Sequence, residues 1–300
     1  MIWRGGMDKE GVLLMLNQSV SRRQFLGLAS GFAAIAGLGL VGCGGSSTSG
    51  TSSAGSSAGS AASSSKDGYT LVKDGTLTVG TAAEYEPFEY MEDGQYKGFD
   101  LDLIQDLAKK LGLTVEFANV DFDTIVPGVS SGAKYDVGIG AITVTPERKK
   151  EVDFTDSYYM DDQAIVTMKD NADITGDNYK EKLDSADAKI AVQSGSTAEA
   201  FAKENFPNAE LVPFKNATDC FSALQAGQSV ALVTNRSVAA QLVATSFDNE
   251  QVVKLISTGE EYAIAVNKDN SGLKDAINKA LKELTDDGTV DSLMGQYNIK

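Results

Sequence analysis

Between Tyr135 and Thr155 the chain reads YDVGIGAITVTPERKKEVDFT, and within it Thr143 and Arg148 are residue types able to grip a ligand. Thr143 offers a hydroxyl and an amide N–H, and Arg148 offers a planar fork of donors that matches a carboxylate bidentately. Gly138 and Gly140 let the backbone approach a neighbour closely. The set suits a small anion, most simply a carboxylate. Taken by itself, the stretch reads more simply as a strand carrying Val137 and Ile139, a β-turn at Thr145-Pro146 and a solvated basic helix start in ERKK. The rest of the chain decides between the two.

The 300 residues allow about two domains, each with its own core, and 42% hydrophobic with 23% charged residues is a globular composition. A net charge of −16 and a pI near 4.4 argue against a nucleic-acid partner or an anionic membrane surface. Histidine is absent, which excludes Ser-His-Asp and Cys-His catalysis and the commonest zinc ligand. No metal or cofactor is implied. Of the two cysteines, Cys220 lies among Phe221, Ala223 and Leu224 and reads as a small buried apolar residue. Cys43 has another role below, so no internal disulfide is expected.

The elements that position these residues begin late. Residues before Ser21 show no clear period, and Met7 or Met15 could be the true start. Then SRRQFLG and the uncharged run LASGFAAIAGLGLVG form an export signal, with Arg22-Arg23 resembling the twin-arginine type. The run is too weakly hydrophobic for a permanent transmembrane helix. It ends in Leu40-Val41-Gly42-Cys43, which resembles a bacterial lipobox, so residues 1–42 are expected to be cleaved and Cys43 lipidated. Residues 43–68, rich in Gly, Ser and Ala, read as a flexible tether. An acidic body leaves membrane anchoring to the lipid.

From Thr76 the pattern alternates. Strands are expected at Thr76–Gly80, Thr114–Phe117 and Asp136–Ile139, with helices at Phe99–Leu111, N-capped by Asp100, and Thr124–Ser131. This alternation implies a parallel α/β sheet. After the polar stretch Lys169–Asp187 a second series follows: strands at Lys189–Val192, Glu210–Val212 and Val230–Val233, and helices at Thr197–Glu204, Thr218–Ala226 and Val238–Thr245. Pattern alone does not place a last strand, Tyr262–Val266, or the helices Leu273–Thr285 and Val290–Tyr297.

From about Thr76 onward the chain resembles the solute-binding proteins of bacterial ABC importers for polar amino acids, the glutamine- and histidine-binding type. The segments that carry the likeness are VGTAAEYEPFEYMEDGQYKGFDLDLIQDLAKKLG, DFDTIVPGVSSGAKYDVGIGAITVTPERKKEVDFTDSYY, AVQSGST and DDGTVDSLMGQYN. The resemblance implies the α/β two-lobed periplasmic-binding-protein type II fold with two crossover hinge strands. One lobe is then 76–157 plus 262–300, the other 163–257, with hinges at 158–162 and 258–261. It further implies that Arg148 clamps the α-carboxylate of an amino acid with Thr143, aided by Ser196 and Thr197 at a helix start. The Ala141 carbonyl and Thr143 would meet the ligand's amino group, and Tyr85 and Phe122 would sandwich its stem.

Departures bear on specificity. Where many members carry an acid for the ammonium, this chain has Asn235, an amide without charge. Neither Thr234 nor Arg236 restores an acid. Ala82 replaces another common acid and Gln193 a common base, so Ala82, Gln193 and Thr234 make a nearly uncharged pocket end for a neutral or weakly polar side chain, unless Glu84 or Glu86 points inward. The leading expectation is a monomeric, lipid-anchored receptor that delivers an amino acid to an ABC permease and is not an enzyme. The alternatives are an exported enzyme on the same fold, such as a cyclohexadienyl dehydratase using a pocket carboxyl as acid, or a receptor for another small carboxylate.

Overall fold

The computed structural model describes residues 68–300 together with the pair Ser63–Ser64. The export signal, Cys43 and most of the expected tether lie outside the described residues.

A fully buried strand, Thr76–Thr81, runs parallel to Thr114–Asn119 on one side and to Val137–Gly138 on the other. Ala265–Val266 and Asp153–Phe154 extend this sheet in antiparallel sense. Leu103, Ile104 and Leu107 fall on one face of the helix Phe99–Lys110 and are buried beneath it, and Gly112, at φ +71°, ends the helix in the left-handed conformation. Asp100 is not the cap. Gly98 holds that position, and Asp100 turns inward from the first turn. The second sheet orders Glu210–Phe214, Lys189–Gln193, Ala231–Asn235, Tyr159–Met168 and Glu250–Tyr262, with the first three parallel and Tyr159–Met168 antiparallel to both of its neighbours. Each sheet with its helices makes one lobe of a type II periplasmic-binding-protein fold.

Both sheets are therefore mixed rather than parallel. A strand–helix alternation cannot register strands such as Ala265–Val266 that return without an intervening helix. Pattern alone did not show the two longest strands, of which the resemblance implied only the hinge segments 158–162 and 258–261. Tyr159–Met168 and Glu250–Tyr262 pair from Tyr159 opposite Tyr262 to Met168 opposite Glu250, carrying the chain from one lobe to the other and back. Polar residues point inward along them, namely Asp161, Gln163 and Glu260, so the apolar alternation that marks a strand is broken. The expected strand Tyr262–Val266 is divided: Tyr262 closes the long strand, and Ala265–Val266 joins the first sheet. A small antiparallel meander, Glu84–Tyr85, Glu89–Glu92 and Gln95–Lys97, also went unread.

The crossing is anchored in aromatic packing. Phe88 meets Tyr159 at 5.2 Å and Tyr262 at 5.4 Å between ring centroids, both edge-on, and all three are buried. Each such ring contributes roughly 1.5–3 kcal/mol by burial. A rigid footing of this kind lets the polar side chains farther along the same strands be held in place.

Candidate ligand site

Arg148 opens a one-turn helix, Arg148–Glu151. Its Nη1 donates to the Thr143 carbonyl at 2.7 Å and its Nη2 to the Gly195 carbonyl of the other lobe at 3.0 Å. The guanidinium carbon lies 5.3 Å from the centre of the Phe122 ring, within cation–π range. Burial draws the guanidinium below its usual pKa, and Glu260 opposes that shift. Gly195 holds its carbonyl toward Arg148 at φ +73°, and a Cβ there would lie 2.9 Å from the Asp123 Cβ.

Glu260 was not anticipated. Its Oε2 accepts from the Thr143 hydroxyl at 2.6 Å, the Thr197 hydroxyl at 2.7 Å and the Asn235 amide at 3.2 Å. Its Oε1 accepts from the Gln163 amide at 2.5 Å and the Thr258 hydroxyl at 3.3 Å. Four residues named from the sequence, Thr143, Arg148, Thr197 and Asn235, are thus gathered round one buried carboxylate from the returning long strand.

The other residues divide. Tyr85 reaches across: its hydroxyl donates to Asn235 Oδ1 at 2.8 Å and lies 3.3 Å from the Thr234 hydroxyl. Its ring stacks on Phe88, whereas Phe122 takes the Arg148 guanidinium. Ser196 caps the helix Thr197–Asn205, accepting from the Glu199 N–H at 3.1 Å. Its hydroxyl and its own N–H both bond the Gln193 carbonyl, so it serves its loop. Ala141, at φ +47°, gives its N–H to Asp100 at 2.7 Å, and Tyr158 donates to the same carboxylate oxygen. Burial pushes Asp100 up to about 7. Ala82 packs among Ile125, Val129 and Ile142 in the first lobe's core. The close approaches at Gly138 and Gly140 are internal: a Cβ at Gly138 would lie 2.5 Å from Ile125, and one at Gly140 3.1 Å from Glu89.

The pocket end is not uncharged. Glu84 accepts from the Gln193 amide at 3.0 Å, from the Ala217 and Thr218 N–H groups at 3.1 and 3.3 Å and from the Thr218 hydroxyl at 3.2 Å. Those backbone donors open the helix Ala217–Gln225, whose dipole favours an anion. Burial nonetheless outweighs these bonds and raises the Glu84 carboxyl to about 7. A cavity of about 10 Å³, room for one water, lies beside it among Tyr85, Gln193, Ser196, Ala217, Cys220 and Thr234. Among the described residues no group of three or more His, Cys, Asp or Glu is placed to hold a metal.

Residues 77–300 match the model of the bacterial extracellular solute-binding proteins, family 3. The chain belongs to that family. Among relatives, a probable histidine-binding protein of Campylobacter jejuni is 33% identical over 228 residues, 75% of this chain and 86% of the relative. The glutamine-binding protein GlnH of an ABC transporter in Bacillus subtilis is 31% identical over 278 residues, 91% of this chain and 95% of its own length. A crystal structure of an ancestral amino acid-binding protein, described as a precursor of cyclohexadienyl dehydratase, superposes with a TM-score of 0.69 at 41% identity, covering 74% of this chain and 95% of that one. In this family 3 solute-binding protein the polar residues around Glu260 come from both lobes and from the long returning strand. Among the described residues no helix is long and apolar enough to cross a membrane.

Proposed function

We propose that this chain is an extracytoplasmic, lipid-anchored receptor that captures an amino acid between its lobes and hands it to an ABC importer. The observation that carries the reading is the meeting of Arg148 from one lobe with Thr197 and Asn235 from the other around one polar centre. Arg148 clamps the ligand carboxylate with Thr143, and Thr197 adds donors from the facing helix start. The Ala141 carbonyl and Thr143 receive the amino group, while Tyr85 and Phe122 flank the stem. The long paired strands act as the hinge, with 158–162 and 258–261 bending as 163–257 closes on 76–157 and 262–300. Ligand capture and the closed shape seen by the permease are then one motion. The histidine-, glutamine- and amino-acid-binding relatives support this reading.

A thermal-shift screen of the full chain against the twenty amino acids, cystine, ornithine, several α-keto acids and prephenate tests it. At a hundredfold excess over Kd a true ligand adds about 2.7 kcal/mol of stability. No response to any amino acid overturns the proposal. Cys43→Ala moves the protein out of the membrane fraction, and retention there overturns the anchor. One observation favours a second reading, an exported dehydratase: Glu84, with its carboxyl raised to about 7, is a carboxylic acid suited to proton transfer near neutrality. Turnover of prephenate or arogenate selects that reading over the first.

A further inference from the structure

We infer that Glu260 is the acceptor for the ligand's α-ammonium group and makes this receptor selective for amino acids over nitrogen-free carboxylates. The inference rests on the amino-acid reading above and names the group that reads the amine. The sequence puts an uncharged Asn235 at the end of the strand Ala231–Asn235, leaving the ammonium without a charged partner there. The structure brings a carboxylate to the same spot from a different element. Glu260 Oε2 lies 3.2 Å from Asn235 Nδ2, 2.6 Å from the Thr143 hydroxyl and 2.7 Å from the Thr197 hydroxyl. It is 8% exposed and close enough to Arg148 to favour the guanidinium's charged form.

Two physical arguments follow. A buried carboxylate facing a guanidinium across a cleft is a dipole, and the head of an amino acid is the opposite dipole: carboxylate toward Arg148, ammonium toward Glu260. The occupied site then holds two positive and two negative charges, so no charge is buried unpaired. A ligand without nitrogen would bring a second negative charge against the single positive charge of Arg148, leaving one negative charge unpaired. Secondly, the present donors to Oε2 can yield. The hydroxyls of Thr143 and Thr197 each accept as readily as they donate, so both can rotate as an ammonium arrives. Meanwhile Gln163, at 2.5 Å, holds Oε1 from the paired long strand and keeps the carboxylate aimed. Because Glu260 follows Gly259, at φ +64°, in the returning strand, the amine is read by the segment that joins the lobes.

The test uses the full chain, the best amino acid from the thermal-shift screen and the α-keto acid of the same skeleton, by calorimetry. Glu260→Gln lowers affinity for the amino acid about 10- to 100-fold, as loss of one charge-assisted contact requires, and leaves the keto acid equal or tighter. Asn235→Asp in the Glu260→Gln chain restores amino-acid affinity by returning an acid to the site. Asn235→Asp alone yields no gain, since two carboxylates about 3 Å apart share one proton. Equal losses for both ligands, or no rescue by the second change, overturn the inference and make Glu260 a clasp between lobes. Unchanged amino-acid affinity in Glu260→Gln overturns it while leaving the receptor reading intact. A screen without any amino-acid response overturns both. Circular dichroism and the ligand-free Tm of each variant show that the chain is folded; if Glu260→Gln does not fold, Glu260→Asp replaces it, and the same selective loss is expected from its shorter reach.

Discussion

The two ends of the cleft are built from unlike chemistry. At the inner end the Arg148 guanidinium and the Glu260 carboxylate both bond Thr143, Arg148 also bonds Gly195 and Glu260 also bonds Thr197 of the other lobe, and Glu260 favours the guanidinium's charged form. At the outer end Glu84 also meets the opposite lobe, but every donor on it is neutral: one amide, two backbone N–H groups and one hydroxyl. Its carboxyl accordingly sits at about 7. An end that sets a guanidinium near a carboxylate suits the part that all amino acids share. An end whose charge can be withdrawn by one proton suits the part that differs between them. The contrast breaks most sharply at Arg148: in Arg148→Ala the bidentate clamp is gone, and calorimetry should show amino-acid affinity down about 100-fold or more. The ligand-free Tm should move by only a few degrees, because the guanidinium lies in the cleft rather than under a core. Unchanged affinity would remove Arg148 from the site.

Gly195 probes the inner end through the backbone. Gly195→Ala places a Cβ 2.9 Å from Asp123 and keeps a left-handed φ that alanine resists, so about 1–2 kcal/mol should be lost from the closed form. The displaced carbonyl is the one that Arg148 holds, so ligand dissociation should quicken by about tenfold in stopped-flow measurements. A variant with unaltered dissociation would show that this inter-lobe bond does not secure the clamp.

At the outer end the probe is pH. The Glu84 pKa is raised in the folded chain from 4.5 to about 7, so the folded chain binds more protons than the unfolded one between those values. Stability from this group is full below about pH 4.5, declines as pH rises to about 7 and is level above. Asp100, raised to about 7, and Glu250, raised to about 8, add declines of the same sign, so the informative quantity is a difference between chains. Glu84→Gln should remove about 1–2 kcal/mol of the loss between pH 5 and pH 7.5, read as a shallower fall of Tm. Parallel Tm profiles in the two chains would mean that Glu84 does not change protonation on folding.

Much of this was legible in the sequence, and the failures have one cause. Thr143 and Arg148 were named from their stretch and Thr197 and Asn235 from the resemblance, and the structure brings all four near Glu260. Apolar stripes such as Leu103, Ile104 and Leu107 placed the expected helices to within a residue or two, while Tyr179–Leu183, in the polar stretch 169–187, went unread. Glu260 was missed because it lies in a thirteen-residue strand, Glu250–Tyr262, whose inward positions are polar and whose partner strand is remote in sequence. Gln163 was missed in the same way on Tyr159–Met168. Strands that carry buried polar groups lose the alternation by which strands are recognised, so although the resemblance implied hinges at 158–162 and 258–261, the length of both strands and the place of Glu260 were hidden together. Glu84 was named only as an inward possibility, since nothing local to EYEPF reveals that its partner is the helix beginning at Ala217, 133 residues away.

Tyr85 touches both ends, and it gives the finest division between them. Its hydroxyl donates to Asn235 beside Glu260 and lies against Thr234, which lines the cavity near Glu84. Tyr85→Phe keeps the ring and its stacking on Phe88 while leaving Asn235 Oδ1 without that donor in the closed form. The expected cost is about 1 kcal/mol of closure, or roughly fivefold in affinity. Because the lost bond joins lobe to lobe and touches no charge, the loss should be the same for an amino acid and its keto acid, and the same at pH 5 and pH 8. A loss confined to the amino acid would place the Tyr85 hydroxyl with Glu260 in reading the amine. A loss that changes with pH would tie it to Glu84 instead, and the two ends would then be one titrating network rather than two sites with separate tasks.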